Sequence, residues 1–292
     1  MMERIFVNFD KAGAEWVVVA YLSGDARMID VVEKGKSPHL VTGTLISNAP
    51  EILVLREHEL IKDNNNPYEI ADLRARIPEL SDPSFFLPRS MSIRQAAKKA
   101  NHGLNYDEGY RVFALYNEIT EDESKKIVDF YKTRAYPGIP VWHDSIRREL
   151  KTNHRTLTNC FGRKVVLRDV WDSHLFKAAY SFKPQSTVVD MVDRAFDLWY
   201  TCEARYMRDF DLKAQTHDSI LAQFLITERK DTWIDLARCC ITMDQWISPL
   251  CVYPPYEFTI RTDLKVGRDW GAMKDVAFPK EPETLALLLE EA

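Results

Sequence analysis

Arg94, Lys98, His102 and Tyr106 recur every four residues in "SIRQAAKKANHGLNY". Four residues advance about 400° around an α-helix, so the four side chains project from one face, two cations followed by two flat rings. An Arg fork and a Lys point charge at that spacing suit the phosphates of a nucleoside triphosphate, with a ring left beside the base. The alternative for the two cations is a basic stripe turned to solvent, which gives the rings no task. A triphosphate needs metal ions. Asp10, at the end of "RIFVNFD", and Asp218, in "QTHDSI", are carboxylates that adjacent strands could bring together. In two-metal phosphoryl transfer a pair of Mg²⁺ ions roughly 3.5–4 Å apart clamps the attacking and leaving oxygens. Such ions take oxygen ligands, usually one or two carboxylates plus substrate phosphates. The stretch "DLKAQTHDSILAQFLI" reads as a buried hairpin with His217 and Asp218 at its tip. Ionised groups there cost free energy unless paired, and the alternative is a tight turn with Asp218 as turn former.

Periodicity and chain breakers delimit the elements that must carry these residues. "RIFVNF" alternates as a short strand ending at Asp10, and "AGAEWVVVAYLSGD" reads as a helix closed by Ser23-Gly24, with Glu15 near its first turn. Ser92 and Gln95 form an S-x-x-Q capping box that opens a helix uninterrupted by Pro or Gly until Gly103. Further helices fit residues 120–136, 140–153 and 186–207, the last leading into the hairpin. Residues 51–88 mix charge, "DNNNP" and three further prolines, which predicts a loop-rich insertion with one or two short helices.

Composition narrows the classes. With 46% apolar and 28% charged residues among 292, the chain is a folded protein with room for one large domain or two ordinary ones. No apolar run approaches the ~20 residues that span a bilayer and the N-terminus lacks a signal-peptide pattern, so a cytoplasmic location without membrane contact is expected. Five cysteines without C-x-x-C spacing suggest neither a disulfide framework nor a zinc site. The net charge of −5 argues against a non-specific polyanion binder. The positive residues nevertheless gather in 89–99 and 147–168, a basic middle that can hold a phosphate backbone.

In order along nearly the whole chain, these segments resemble the family A DNA polymerases, the group of bacterial DNA polymerase I and many phage replicases. "DKAGAEWVVVAYLSGD" is similar to that family's first palm motif, and "RQAAKKANHGLNYDEG" to its fingers-helix motif R-x-x-A-K-x-x-x-F-G-x-x-Y-G. "YPGI" and "FGRK" match segments between, "PQSTVVD" resembles P-I-Q-G-T-A-A-D, "QTHDSI" resembles Q-V-H-D-E-L, and "VGRDWGA" resembles the usual ending.

The resemblance implies an α+β fold, a polymerase palm of antiparallel sheet with packed helices and a mainly helical fingers subdomain. Residues 1–36 and 179–292 would form the palm and 37–178 the fingers, with the insertion at about 51–88. It implies a DNA-directed DNA polymerase acting on primer-template DNA and deoxynucleoside triphosphates with two Mg²⁺ ions. Asp10, Asp218 and the carbonyl of Lys11 would be metal ligands, and Lys98 would assist the leaving pyrophosphate. Arg94, Lys98, His102, Tyr106 and Glu15 would bind the nucleotide, Glu15 in the sugar pocket. Arg163, Lys177, Gln185 and His217 would contact DNA. Departures from the family pattern are His102 for Phe or Tyr, Asp107 for Gly, Ser219 for Glu, Gly13 for Gln, Ser181 for Asn and Lys177 for Arg. Ser219 leans toward the single-subunit phage-type RNA polymerases, whereas Glu15 leans to deoxynucleotides; a degenerate polymerase-like nucleic-acid-binding protein is the third reading. Thumb and exonuclease regions precede the Asp10 motif in that family, so a separate chain supplying thumb and upstream palm is expected, with "RIFVNF" as an exposed strand edge needing cover.

Overall fold

The computed structural model describes residues 3–62, 66–77, 88 and 90–292. In chain order the first elements are β1 (Glu3–Lys11), α1 (Ala14–Ser23), α2 (Ala26–Glu33), α3 (Pro38–Ser47), α4 (Glu51–Ile61) and α5 (Pro67–Ala75). Then follow α6 (Ile93–Asn105), α7 (Tyr110–Asn117), α8 (Glu121–Phe130), α9 (Gly138–Thr152), β2 (Thr156–Thr158), β3 (Lys164–Val166) and α10 (Ser173–Tyr200). The last are β4 (Phe210–Thr216), β5 (Ser219–Ile226), α11 (Thr232–Ile247), β6 (Cys251–Tyr253), β7 (Tyr256–Phe258), β8 (Thr262–Gly267), β9 (Lys274–Val276) and α12 (Pro282–Glu291).

Two compact units result, one of Met1–Ala14, Cys160–Arg163 and Gln185–Ala292, the other of Glu15–Asn159 and Lys164–Pro184. The divisions fall near residues 14 and 184. The reason is packing. Trp16, Val19 and Ala20 of α1, with Leu175, Ala179 and Tyr180 of α10, lie in the core of the helical unit, whereas Val192 and Ala195 of α10 lie in the other core.

The first unit is built on an antiparallel sheet in the order β4-β5-β1-β8-β9. Strand alternation puts Ile5, Val7, Phe9 and Lys11 on one face of β1, and these are its buried residues. Ile5, Val7 and Phe9 join Ile220, Ala222, Phe224, Leu264 and Val266 against Leu236, Cys240 and Met243 of α11 and Leu285 and Leu289 of α12. Each fully buried Val, Leu, Ile, Phe or Met among them contributes about 1.5–3 kcal/mol by leaving water. β1 is therefore central, paired with β5 on one side and β8 on the other. The expected exposed edge on "RIFVNF" is corrected: the chain's own β8, whose alternation the sequence reading passed over, covers it. The buried hairpin is corrected in part too. β5 is largely buried, but β4 is an edge strand with Asp211, Lys213, Gln215 and Thr216 exposed.

The second unit is helical. Asp25, from "LSGD", caps α2 by accepting the Arg27 and Met28 N–H groups at 3.1 Å, and its second oxygen accepts the Gly138 N–H of "YPGI" at 2.8 Å. A Cβ on Gly138 would come within 2.8 Å of the Asp25 Cβ, so glycine is required for this joint. Ser92 and Gln95 form the capping box that the sequence predicts, with Gln95 N to Ser92 Oγ at 3.1 Å and Ser92 N to Gln95 Oε1 at 3.0 Å.

The insertion holds two short helices, α4 and α5, as the sequence allows, and 63–65 and 78–87 lie outside the described residues. Val54 and Ile77 pack with Leu40, Ala49 and Ile93. Glu57, fully buried, accepts Arg74 Nε at 2.9 Å and the Ile93 N–H at 3.0 Å. Burial pushes the Glu57 carboxyl up while Arg74 opposes the shift. Removing one partner of a buried pair strands the other charge. Glu57→Ala is therefore expected to cost roughly 3 kcal/mol, and the double replacement Glu57→Leu with Arg74→Met less than either single one, read from denaturant midpoints. Among the described residues no helix is long and apolar enough to cross a membrane.

Candidate active site

In the sheet unit, Asp10 stands opposite Ser219 in the β1–β5 register, and the next N–H, that of Lys11, donates to the Asp218 carbonyl at 3.2 Å. The two aspartates thus occupy the ends of neighbouring strands. His217 takes a left-handed φ of 57° in the tight turn and is exposed. The turn reading of "THDS" and the metal reading are compatible: the same turn that reverses the chain brings Asp218 beside the end of β1. A third carboxylate, Asp263 of β8, is the register partner of Asp10 on its other side and pairs with Arg261 at 3.2 Å.

Lys11 shows its side chain to the opposite face from Asp10. Its Nζ donates to Ile260 O at 2.5 Å, Ser248 Oγ at 2.7 Å and Thr262 Oγ1 at 2.9 Å, and burial pulls its pKa down to about 8. This ammonium braces β1 against β8 and has no part in the Asp10 face. Arg163 has its Nε 2.6 Å from Asp190 Oδ1 and its Nη2 3.4 Å from Asp193 Oδ2, so a DNA phosphate would have to exchange with α10 carboxylates. Gln185 is exposed on α10.

In the helical unit, α6 buries Ala96, Ala97, Ala100, Asn101, Leu104 and Asn105 and turns the row of four outward. Arg94 is half-buried, Lys98 and His102 are exposed, and Tyr106 is the half-buried C-cap. Tyr106 Oη donates to Glu15 Oε2 at 2.6 Å. Burial first, then the Glu15 carboxylate, pushes the Tyr106 phenol well above its usual range, so it stays a donor. Asp107, where glycine is usual, takes a φ of 63°, which Asp tolerates better than most residues, and pairs with Lys132 at 2.5 Å. Lys177 is half-buried beside Glu108, whose carboxyl burial raises and Lys177 lowers.

His39 escaped the sequence reading. Its ring centroid lies 6.1 Å from that of His102, and Asn101 Nδ2 donates to its Nδ1 at 3.0 Å. Burial first, then the neighbouring His102, Arg94 and Lys98, depress its pKa to about 3. No spacing rule links residue 39 to residues 94–102; the contact is tertiary.

Among the described residues no group of three or more His, Cys, Asp or Glu side chains forms a metal cluster. The chemistry of the donor set fits Mg²⁺, which is usually held by one or two carboxylates and substrate phosphates: Asp10 and Asp218 are two carboxylates on adjoining chain segments.

The antiparallel sheet unit with its helices and the helical unit carrying this cationic row have the fold of a polymerase domain. The chain is 25% identical over 273 residues to a DNA polymerase of Mycobacterium phage D29, a match that covers 92% of this chain and 35% of that protein. Among solved structures it shares the fold of the POL domain of Pol1 from M. smegmatis in complex with DNA primer-template and dNTP, at a TM-score of 0.63 and 16% identity, over 92% of this chain and 40% of that one. No family model matches the chain.

Proposed function

We propose that this chain is the catalytic portion of a template-directed DNA polymerase that adds deoxynucleotides to a primer 3′ end, with the sheet unit as palm and the helical unit as fingers. The observation that carries the reading is the placement of Asp10 and Asp218 at the joined ends of β1 and the β4–β5 hairpin. Asp10 and Asp218, with the Lys11 carbonyl, are the groups that would hold two Mg²⁺ ions. Bound there, Mg²⁺ supplies Lewis-acid activation of the 3′-hydroxyl and neutralises charge on the triphosphate. Arg94 grips phosphate oxygens through its fork, and Lys98 donates a proton to the departing pyrophosphate or neutralises it as charge develops. His102 and Tyr106 flank the incoming base, while Glu15, held by Tyr106, fills the space a ribose 2′-hydroxyl would need. Base choice is left to pairing with the template. Lys177, Gln185, His217 and, after exchange of its aspartate partners, Arg163 contact the primer-template. Further grip on the duplex comes from polypeptide outside the matched portion.

Primer extension with Mg²⁺ on a DNA template tests this, with deoxy- and ribonucleotides compared in parallel. Template-dependent incorporation favouring deoxynucleotides is expected. A preference for ribonucleotides would favour the RNA polymerase reading that Ser219 suggests.

A further inference from the structure

The insertion reaches the N-terminal end of the fingers helix through two consecutive residues of α4. Glu57 takes the Ile93 N–H at 3.0 Å and is locked by Arg74, which also donates to the Met91 and Pro88 carbonyls. That clamp fixes the next residue. His58 Nδ1 lies 2.8 Å from Ser92 Oγ, the N-cap of α6, and its Nε2 lies 3.3 Å from Arg94 Nη1. Arg94 can only donate, so Nε2 is the acceptor and the ring proton sits on Nδ1, donated to the Ser92 oxygen that also receives the Gln95 N–H.

We infer that His58 is a positioning residue, holding the Arg94 guanidinium in the orientation in which it meets a triphosphate. The inference rests on the proposed function. Arginine has many rotamers, and an acceptor on a second, clamped helix removes part of that freedom before the ligand arrives, which strengthens binding by preorganisation. The helix face alone sets where Arg94 begins; His58 sets where it points.

Only the neutral imidazole can do this. Protonation would set an N–H against the guanidinium and abolish the acceptor. The groups around the ring favour neutrality: burial, then Arg94 and Lys62, lower its pKa, with Glu59 opposing. As the pH falls through that depressed value, the ring gains a proton and Arg94 loses its guide.

The test is calorimetric titration of Mg²⁺-dATP into the 292-residue chain, at neutral and mildly acidic pH, with wild type, His58→Ala, His58→Gln, His58→Asn and Arg94→Ala. His58→Ala is expected to bind about three- to tenfold more weakly at neutral pH, the size of one lost hydrogen bond. It should also lose the acid weakening that wild type shows. Gln places an acceptor near the Nε2 position and should restore affinity; Asn reaches only the Nδ1 position and should restore the helix cap alone. Wild-type affinity in His58→Ala, or rescue by Asn and not Gln, would overturn the positioning role while leaving the functional reading intact. A wild type that binds no dATP, or binding indifferent to Arg94→Ala, would overturn the functional reading and the positioning role with it.

Discussion

Asp10→Asn and Asp218→Asn are each expected to reduce primer extension roughly a thousandfold or more while sparing the fold. The argument begins with the sheet. Asp10 sits on the face of β1 opposite the buried Ile5, Val7 and Phe9 and is only half-buried, so its carboxylate lies outside the hydrophobic core. Asn keeps its shape and removes its charge. Asp218 lies in the turn, outside the ladder hydrogen bonds of β5, and its backbone carbonyl, which receives the Lys11 N–H, is untouched by the change. Thermal midpoints close to wild type should therefore accompany the lost activity. The useful contrast is Asp263→Asn, which alters a carboxylate equally near Asp10 in register but already engaged by Arg261. A near-wild-type rate in either Asp10→Asn or Asp218→Asn would show that the proposed metal ligands are wrong. Loss only in Asp263→Asn would move the site to the β1–β8 side.

Local rules exposed most of what positions this site. The capping box at Ser92, the four-residue row on α6 and the alternation of β1 all depend on neighbours in the chain, and all three form. The direction of Lys11 was equally legible, since it continues the phase of Ile5, Val7 and Phe9, yet a charged residue in a buried phase invites the opposite guess. What the sequence hid depends on distant partners. β8 closes the second side of β1 from over 250 positions away, the Gly138 N–H reaches Asp25 across 113, and His58 reaches Arg94 across 36. In the insertion the "DNNNP" stretch and the prolines suggest loops, and the helices α4 and α5 form around them. Proline at the first position of α5, after the Asn66 cap, is compatible with helix, so the same residues open a helix as readily as they break one. Buried polar pairs such as Glu57 and Arg74 have no sequence signature at all; each residue alone reads as surface charge.

The second large effect concerns the sugar. Glu15→Ala is expected to lower the preference for deoxy- over ribonucleotides, read as the ratio of kcat/KM values, on the order of a hundredfold. Glu15 stands in the first turn of α1, and its carboxylate is pinned by the Tyr106 hydroxyl at 2.6 Å. A pinned side chain excludes a hydroxyl far better than a mobile one, because admitting the ribose would mean breaking a charge-assisted hydrogen bond as well as moving atoms. Truncation to Ala opens that space and leaves the Tyr106 hydroxyl without its acceptor. Glu15→Gln separates the two contributions: it keeps the bulk and an acceptor oxygen, so most of the discrimination should survive. Tyr106→Phe keeps the ring proposed to flank the base but unpins Glu15, and an intermediate loss is expected, with KM for deoxynucleotides little changed. Discrimination that stays at the wild-type level in Glu15→Ala would mean that the Glu15–Tyr106 pair lies outside the sugar pocket. Ser219 would then be the better guide to substrate, and the RNA polymerase reading would gain what the deoxynucleotide reading lost.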